Sequence, residues 1–212
     1  MTTAPSPRPR RPFDFEAMLG AFVEHGVRDA SMEQIATAAG VSKRTLYHHF
    51  DGRDALFDAV VSACCDQFTA ELWERYAEAE QLPVDAAIRT VLGTFLGLAR
   101  HRPALFAVLF RADVAGAGRA AAIVDEARAR ALGRVTELVR ARLAAAGLPS
   151  GPVAEQLAAA MSGMAHGLAR ELGRRPDWSE PALLELATHV WLAALGGLDP
   201  AQLRAAEAAT GG

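Results

Sequence analysis

The sequence predicts an all-α fold of about nine helices, an N-terminal three-helix helix-turn-helix unit followed by a larger helical domain. Three observations predict it. Apolar residues recur at helical spacing along almost the whole chain, no alternating strand pattern of useful length interrupts them, and glycine and proline mark the breaks.

The elements follow in order. Residues 1–12 form a Pro/Arg-rich arm, expected to be disordered. Its Arg8, Arg10 and Arg11 suit a minor groove or phosphates as well as they suit a solvated tail. A first helix buries Phe15, Met18, Leu19 and Phe22 on one stripe and ends near Gly26. Ser31, with Gln34 three residues later, is a capping-box signature for a second helix that buries Met32, Ile35, Ala36 and Ala39 and stops at Gly40. A short third helix starts from Ser42. Asp51 with Asp54 suggests the start of a long fourth helix, with Phe57, Val60, Val61, Cys64, Phe68 and Leu72 inside. Beyond Pro83 a fifth helix buries Ile88, Val91, Leu92, Phe95, Leu96 and Ala99, and a short sixth runs from Pro103 to Arg111. A break at Gly116 and Gly118 precedes an arginine-studded seventh helix, with Val124, Ala127, Ala131, Val135 and Leu138 inside, which stops at Gly147 and Pro149. The eighth and ninth run roughly from Val153 to Leu172 and from Pro181 to Leu195. The expected division is an arm over 1–12, a DNA-binding unit over 13–56, and a ligand-binding and dimerisation domain over 57–212.

Composition excludes several classes. The longest charge-free stretches, Gln156 to Ala169 and Leu186 to Leu198, are too short to span a bilayer, so no membrane association is expected. The basic N-terminus lacks the apolar core of a signal peptide, which predicts a cytoplasmic protein. Cys64 and Cys65 are neighbours on a helix, where successive side chains diverge by about 100°. They read as packing residues, with thiol sensing as the alternative. His101, His166 and His189 have no acidic or Cys partner at ligand spacing, so neither a metal nor another cofactor is expected. No phosphate loop, nucleophile elbow or paired carboxylate marks an enzyme.

Net charge is −3, but it is unevenly spread: residues 1–50 balance at +1 and the remainder at −4. From Ser42 to Phe50 there are Lys43, Arg44, His48 and His49 and no acid. The turn Ala39-Gly40-Val41-Ser42 has a glycine that can end one helix in the left-handed conformation before the next begins. Projected at 100° per residue, the third helix turns Leu46, His49 and Phe50 inward and Lys43, Arg44, Tyr47 and His48 outward. Lys43 and Arg44 can donate to guanine edges in a major groove, and Thr45, Tyr47 and His48 have donors suited to phosphate oxygens. Arg53 in the first turn of the fourth helix and Ser31 on the other flank could meet phosphates too. Each residue alone also fits a solvated surface. The collective pattern points to DNA.

The run IATAAGVSKRTLYHHFDGRDALFDAV resembles the DNA-binding signature of tetracycline-repressor-like (TetR-family) regulators, from about Phe15 to Val61. The resemblance implies a homodimer, with the first three helices on DNA and the fourth leading into an inducer-binding domain. It implies major-groove positions at Lys43, Arg44 and Thr45 and phosphate contacts at Tyr47, His48 and Arg53. Gly52-Arg53 departs from the Ser-Lys frequent in such proteins but keeps the cation. Asp14 and Glu16 make the start of the first helix unusual.

The last two long helices carry more small and apolar residues than one neighbour can cover. Gly163 and Gly167, beside Ala160, would let a partner helix approach closely. Leu183, Leu186, Val190 and Ala194 line one side of the ninth helix, and Leu184, Trp191 and Leu195 another. A four-helix interface between two subunits would bury both sides; an intrachain core is the alternative. Candidates for an effector pocket are Trp73, Tyr76, Phe95, Phe106, Phe110, Met161, Met164 and His166. Few buried charges are evident, so a largely apolar ligand is expected. The reading is a ligand-responsive repressor that binds a pseudo-palindromic double-stranded operator as a dimer. The alternative, favoured by the acidic net charge, is an all-helical small-molecule-binding or adaptor protein without operator binding.

Overall fold

The computed structural model describes residues 13–111 and 118–210; the basic arm and Gly116 lie outside them. The helices are α1 (Phe15–His25), α2 (Met32–Ala38), α3 (Lys43–His49), α4 (Arg53–Gln81), α5 (Val84–His101) and α6 (Pro103–Phe110). They continue as α7 (Arg119–Ala145), α8 (Pro152–Arg174), α9 (Glu180–Gly196) and α10 (Pro200–Thr210). Among the described residues there are thus ten helices, one more than expected. The unexpected one is α10. Its sequence is alanine-rich and carries one large apolar residue, Leu203, so no apolar stripe announces it.

The N-terminal unit is built as its sequence dictates. Asp14 caps α1, its carboxylate accepting the Ala17 N–H at 2.9 Å. Met18, Leu19 and Phe22 are buried, and Phe15 is half-buried. The Ser31–Gln34 capping box forms in full: Ser31 Oγ accepts the Gln34 N–H at 3.2 Å and the Ser31 N–H donates to Gln34 Oε1 at 2.8 Å. Gly40, with φ of 64°, closes α2 in a Schellman arrangement. In it Val41 N–H donates to the Ala36 carbonyl at 3.0 Å and Gly40 N–H to that of Thr37 at 3.2 Å. Leu46 then locks α3 onto α1 and α2, with no solvent exposure at all.

α4 begins at Arg53 rather than at Asp51. Its N-cap is Gly52, with φ of 100° and no side-chain cap. Beyond residue 60 it packs with α5, α7, α8 and α9 into the larger bundle. The buried faces agree with the spacing, including Val60, Val61, Cys64, Phe68 and Leu72 of α4. Arg142 of α7 seals the far end of α4, donating to the carbonyls of Ala79 at 2.8 Å and Leu82 at 2.6 Å. A second, small core of Leu143, Val153, Ala154 and Leu203 holds α10 against α7 and α8. Among the described residues, no single helix is long and apolar enough to cross a membrane.

Candidate nucleic-acid interface and effector cavity

α3 is held from one side only. Ser42 caps it by accepting the Thr45 N–H at 3.0 Å, and Phe13 clasps its end, 5.2 Å from the His49 ring and 5.5 Å from that of Phe50. Lys43, Arg44, Tyr47 and His48 are exposed, Tyr47 to 55%. Lys43, Arg44 and Tyr47 make no side-chain hydrogen bond or ion pair among the described residues. Exposed aromatic and guanidinium groups on a rigid, singly anchored helix are free to meet an outside partner. His49, expected inside, is exposed and meets the rings of Phe13 and Phe50, because α3 ends at that residue and the chain turns away.

Three other expected contacts are committed elsewhere. The Ser31 hydroxyl donates to Gln34 Oε1 at 2.9 Å, and the Thr45 hydroxyl lies 2.7 Å from that of Ser42. Arg53 bonds the Arg28 carbonyl and pairs with Asp54 at 3.3 Å, tying the start of α4 to the turn before α2. These groups act first as local caps and clasps.

A cavity of about 1200 Å³ opens between α4, α5, α6, α7 and α8. Of the eight residues expected there, Tyr76, Phe95, Phe106, Phe110 and His166 line it. Trp73, Met161 and Met164 do not. Trp73 packs beside Tyr76 with ring centres 6.0 Å apart, Met161 packs on the core, and Met164 is 40% exposed on the outer side of α8. Gly163 and Gly167 have a second place in the structure. They line the cavity, and an added Cβ at either meets no atom of the described residues within 4 Å, so within one chain they widen this space.

The expectation of a cavity poor in charge fails as well. Arg111, Arg128, Arg170 and Arg174 all line it, and among the described residues no Asp or Glu does. Sequence reading missed them because arginines on long helices usually face solvent. The available signal was periodicity: Gly163, Gly167, Arg170 and Arg174 fall on one face of α8. Arg128 donates to the Leu109 carbonyl and lies 5.9 Å over the Phe110 ring, which is also 4.3 Å from the His166 ring. Burial, and then the Arg128 charge, push the His166 pKa down, so the imidazole is neutral near pH 7. The Tyr76 hydroxyl is buried without a hydrogen-bond partner among the described residues, and burial pushes its pKa up, keeping it protonated. Among the described residues, no three of His, Cys, Asp or Glu cluster closely enough to hold a metal ion.

A family model described as "Bacterial regulatory proteins, tetR family" matches residues 16–60, which span α1 to α3 and the start of α4. The chain is 34% identical over 77 residues to the HTH-type transcriptional repressor KstR2 of Rhodococcus jostii, covering 36% of this chain and 35% of that protein. It is 29% identical over 136 residues to the HTH-type transcriptional activator FasR of Mycolicibacterium smegmatis, covering 60% of this chain and 61% of that protein. The chain therefore spans less than two thirds of the length of either relative. The fold is that of the transcriptional regulator FadR from Bacillus subtilis, solved in complex with stearoyl-CoA. Its TM-score is 0.64 at 15% identity, over 82% of this chain and 95% of that one. The helix-turn-helix segment, residues 16–60, thus matches the tetR family of bacterial regulatory proteins, and the chain as a whole shares the fold of such regulators.

Proposed function

We propose that the chain is a ligand-responsive transcriptional repressor that acts in the cytoplasm and binds a pseudo-palindromic operator as a homodimer. The single observation that carries this reading is the two-sided α3. Leu46 anchors it, while Lys43, Arg44, Tyr47 and His48 stand outward, exposed, His48 beside the ring of His49. Lys43 and Arg44 read base edges in the major groove; Tyr47 and His48, with Thr45 and Ser31 on the flanks, position the phosphates. Arg53 can join them through Nε and Nη2 while Nη1 keeps the Arg28 carbonyl, because its pair with Asp54, whose side chain is 92% exposed, is weak in water.

The cavity is the effector site, and α6 is the element that senses it. Phe106 and Phe110 present one side of α6 to the cavity, and α6 packs against α1 of the DNA-binding unit. Arg102, between α5 and α6, pairs with Glu16 of α1 and, at 2.7 Å, with Glu71 of α4. A molecule that shifts α6 therefore pulls on α1 and α4, the helices on either side of the helix-turn-helix in the chain. FadR of Bacillus subtilis, with stearoyl-CoA bound, supports a small-molecule role for a fold of this kind.

The test starts from DNA selected by the full-length protein out of a random pool, which should be palindromic. Lys43→Ala and Tyr47→Ala should each weaken binding to it by about 1–3 kcal/mol, with circular dichroism and oligomeric state unchanged. Binding by wild type should also fall steeply with salt. Salt-independent binding, or full affinity in both variants, would sink the assignment.

A further inference from the structure

The cavity has two chemically different ends, and the packing of its walls fixes which is which. α4 and α7 run in parallel, since Asp66 pairs with Arg130 at 3.9 Å and the Ala79 carbonyl accepts from Arg142 at 2.8 Å. Arg128 therefore lies level with Cys64 and Cys65. The Glu71–Arg102 pair sets this part of α4 beside the last turn of α5. Gly173 meets that turn too, where an added Cβ would be 3.9 Å from the Ala99 carbonyl. Arg170 and Arg174 consequently join Arg128 at one end. Tyr76 is eleven residues beyond Cys65, about 16 Å farther along α4, at the other.

Between the ends the wall is aromatic, from Phe95, Phe106 and Phe110. Each end lacks something. Arg170 and Arg174 share only Glu171, at 3.6 and 3.3 Å, and all three side chains are largely exposed, so this pairing yields readily to a better anion. The Tyr76 hydroxyl is enclosed with no partner, and a buried polar group left in that state is unfavourable until something bonds it.

On the reading that this cavity is the effector site, we propose that its ligand is an amphipathic organic anion. The acidic group lies among Arg128, Arg170 and Arg174, the apolar body follows the aromatic wall, and an oxygen toward the far end bonds the Tyr76 hydroxyl. Guanidinium forks suit both carboxylate and phosphate oxygens, so the head is either a free acid or a phosphate ester.

Titration calorimetry on the purified full-length protein tests this with dodecanoate, dodecyl phosphate, ω-hydroxydodecanoate and uncharged 1-dodecanol. At least one of the dodecanoate and dodecyl phosphate anions should bind roughly tenfold or more tightly than 1-dodecanol, and the tighter of the two identifies the head. An Arg170→Gln/Arg174→Gln variant should lose that advantage while binding 1-dodecanol unchanged. ω-Hydroxydodecanoate should bind several-fold tighter than dodecanoate in wild type and equally in Tyr76→Phe. Equal binding of 1-dodecanol and both anions overturns the proposal but leaves the effector cavity standing, as does an undiminished advantage in the glutamine variant. If Tyr76→Phe keeps the hydroxyl preference, or wild type has none, the placement of the far end is overturned. Binding of none of the four overturns the effector cavity and the proposal together.

Discussion

Cys64 and Cys65 show how far one residue's surroundings decide its chemistry. Both are buried in α4, and burial, more than any neighbouring charge, pushes their thiols up to about 12 and about 11. The reactive thiolate is then scarce at any physiological pH, and access is closed as well. A thiol-reactive dye at pH 7.5 should label neither cysteine in the folded protein within a time that labels both in urea; rapid native labelling would restore the sensing role. The same contest between local partners and outside ones explains what could be read at α3. The inward Leu46 and outward Lys43, Arg44 and Tyr47 follow from spacing alone. That the hydroxyls of Ser31 and Thr45 are already engaged by Gln34 and Ser42 depends on side-chain geometry that spacing does not encode. Asp14 and Glu16 belong with them. The first caps α1 and the second meets Arg102, an ion-pair partner 86 residues away.

At the scale of elements, amphipathic helices could be read and helices held by capping could not. α5 was legible because Ile88, Leu92, Phe95 and Leu96 make a stripe; α10 has no stripe and is fixed by Leu203 and one carboxylate. Glu207 of α10 accepts the N–H groups of Gly151 at 2.7 Å and Val153 at 3.0 Å, supplying the cap that Gly151 cannot give α8 itself. It satisfies two orphan donors and places a negative charge at the positive end of a helix dipole. Glu207→Gln should cost about 1 kcal/mol, lowering the melting temperature by about 2–4 °C. Gly151→Ala should act on the same contact, because its Cβ would fall 2.3 Å from the Glu207 carboxylate. The two changes should therefore be less than additive in thermal unfolding, whereas strict additivity would mean that Glu207 caps nothing.

At the scale of the molecule, the proposed operator reading turns on a surface that one chain leaves uncovered. Along α9 the inner face is Leu183, Ala187 and Trp191, all buried, while Leu186 and Val190 on the other face are 62% and 47% exposed. Met164, on the outward side of α8, adds a third large apolar group. Large exposed apolar side chains on α8 and α9, which both pack against α5, suit an association surface. Pairing them across a two-fold axis would turn two α3 helices toward half-sites about 34–36 Å apart or a multiple of it. Each half-site then binds at the effective concentration set by the other, so splitting the dimer should cost far more affinity than any one base contact. Leu186→Glu combined with Val190→Glu puts two charges on that face without entering the core. The variant should sediment as a monomer, keep its helical circular dichroism, and lose at least tenfold in operator affinity while Lys43 and Tyr47 are intact. A variant that still sediments as a dimer would move the interface away from α8 and α9. A folded monomer with full affinity would leave the DNA-binding unit acting alone.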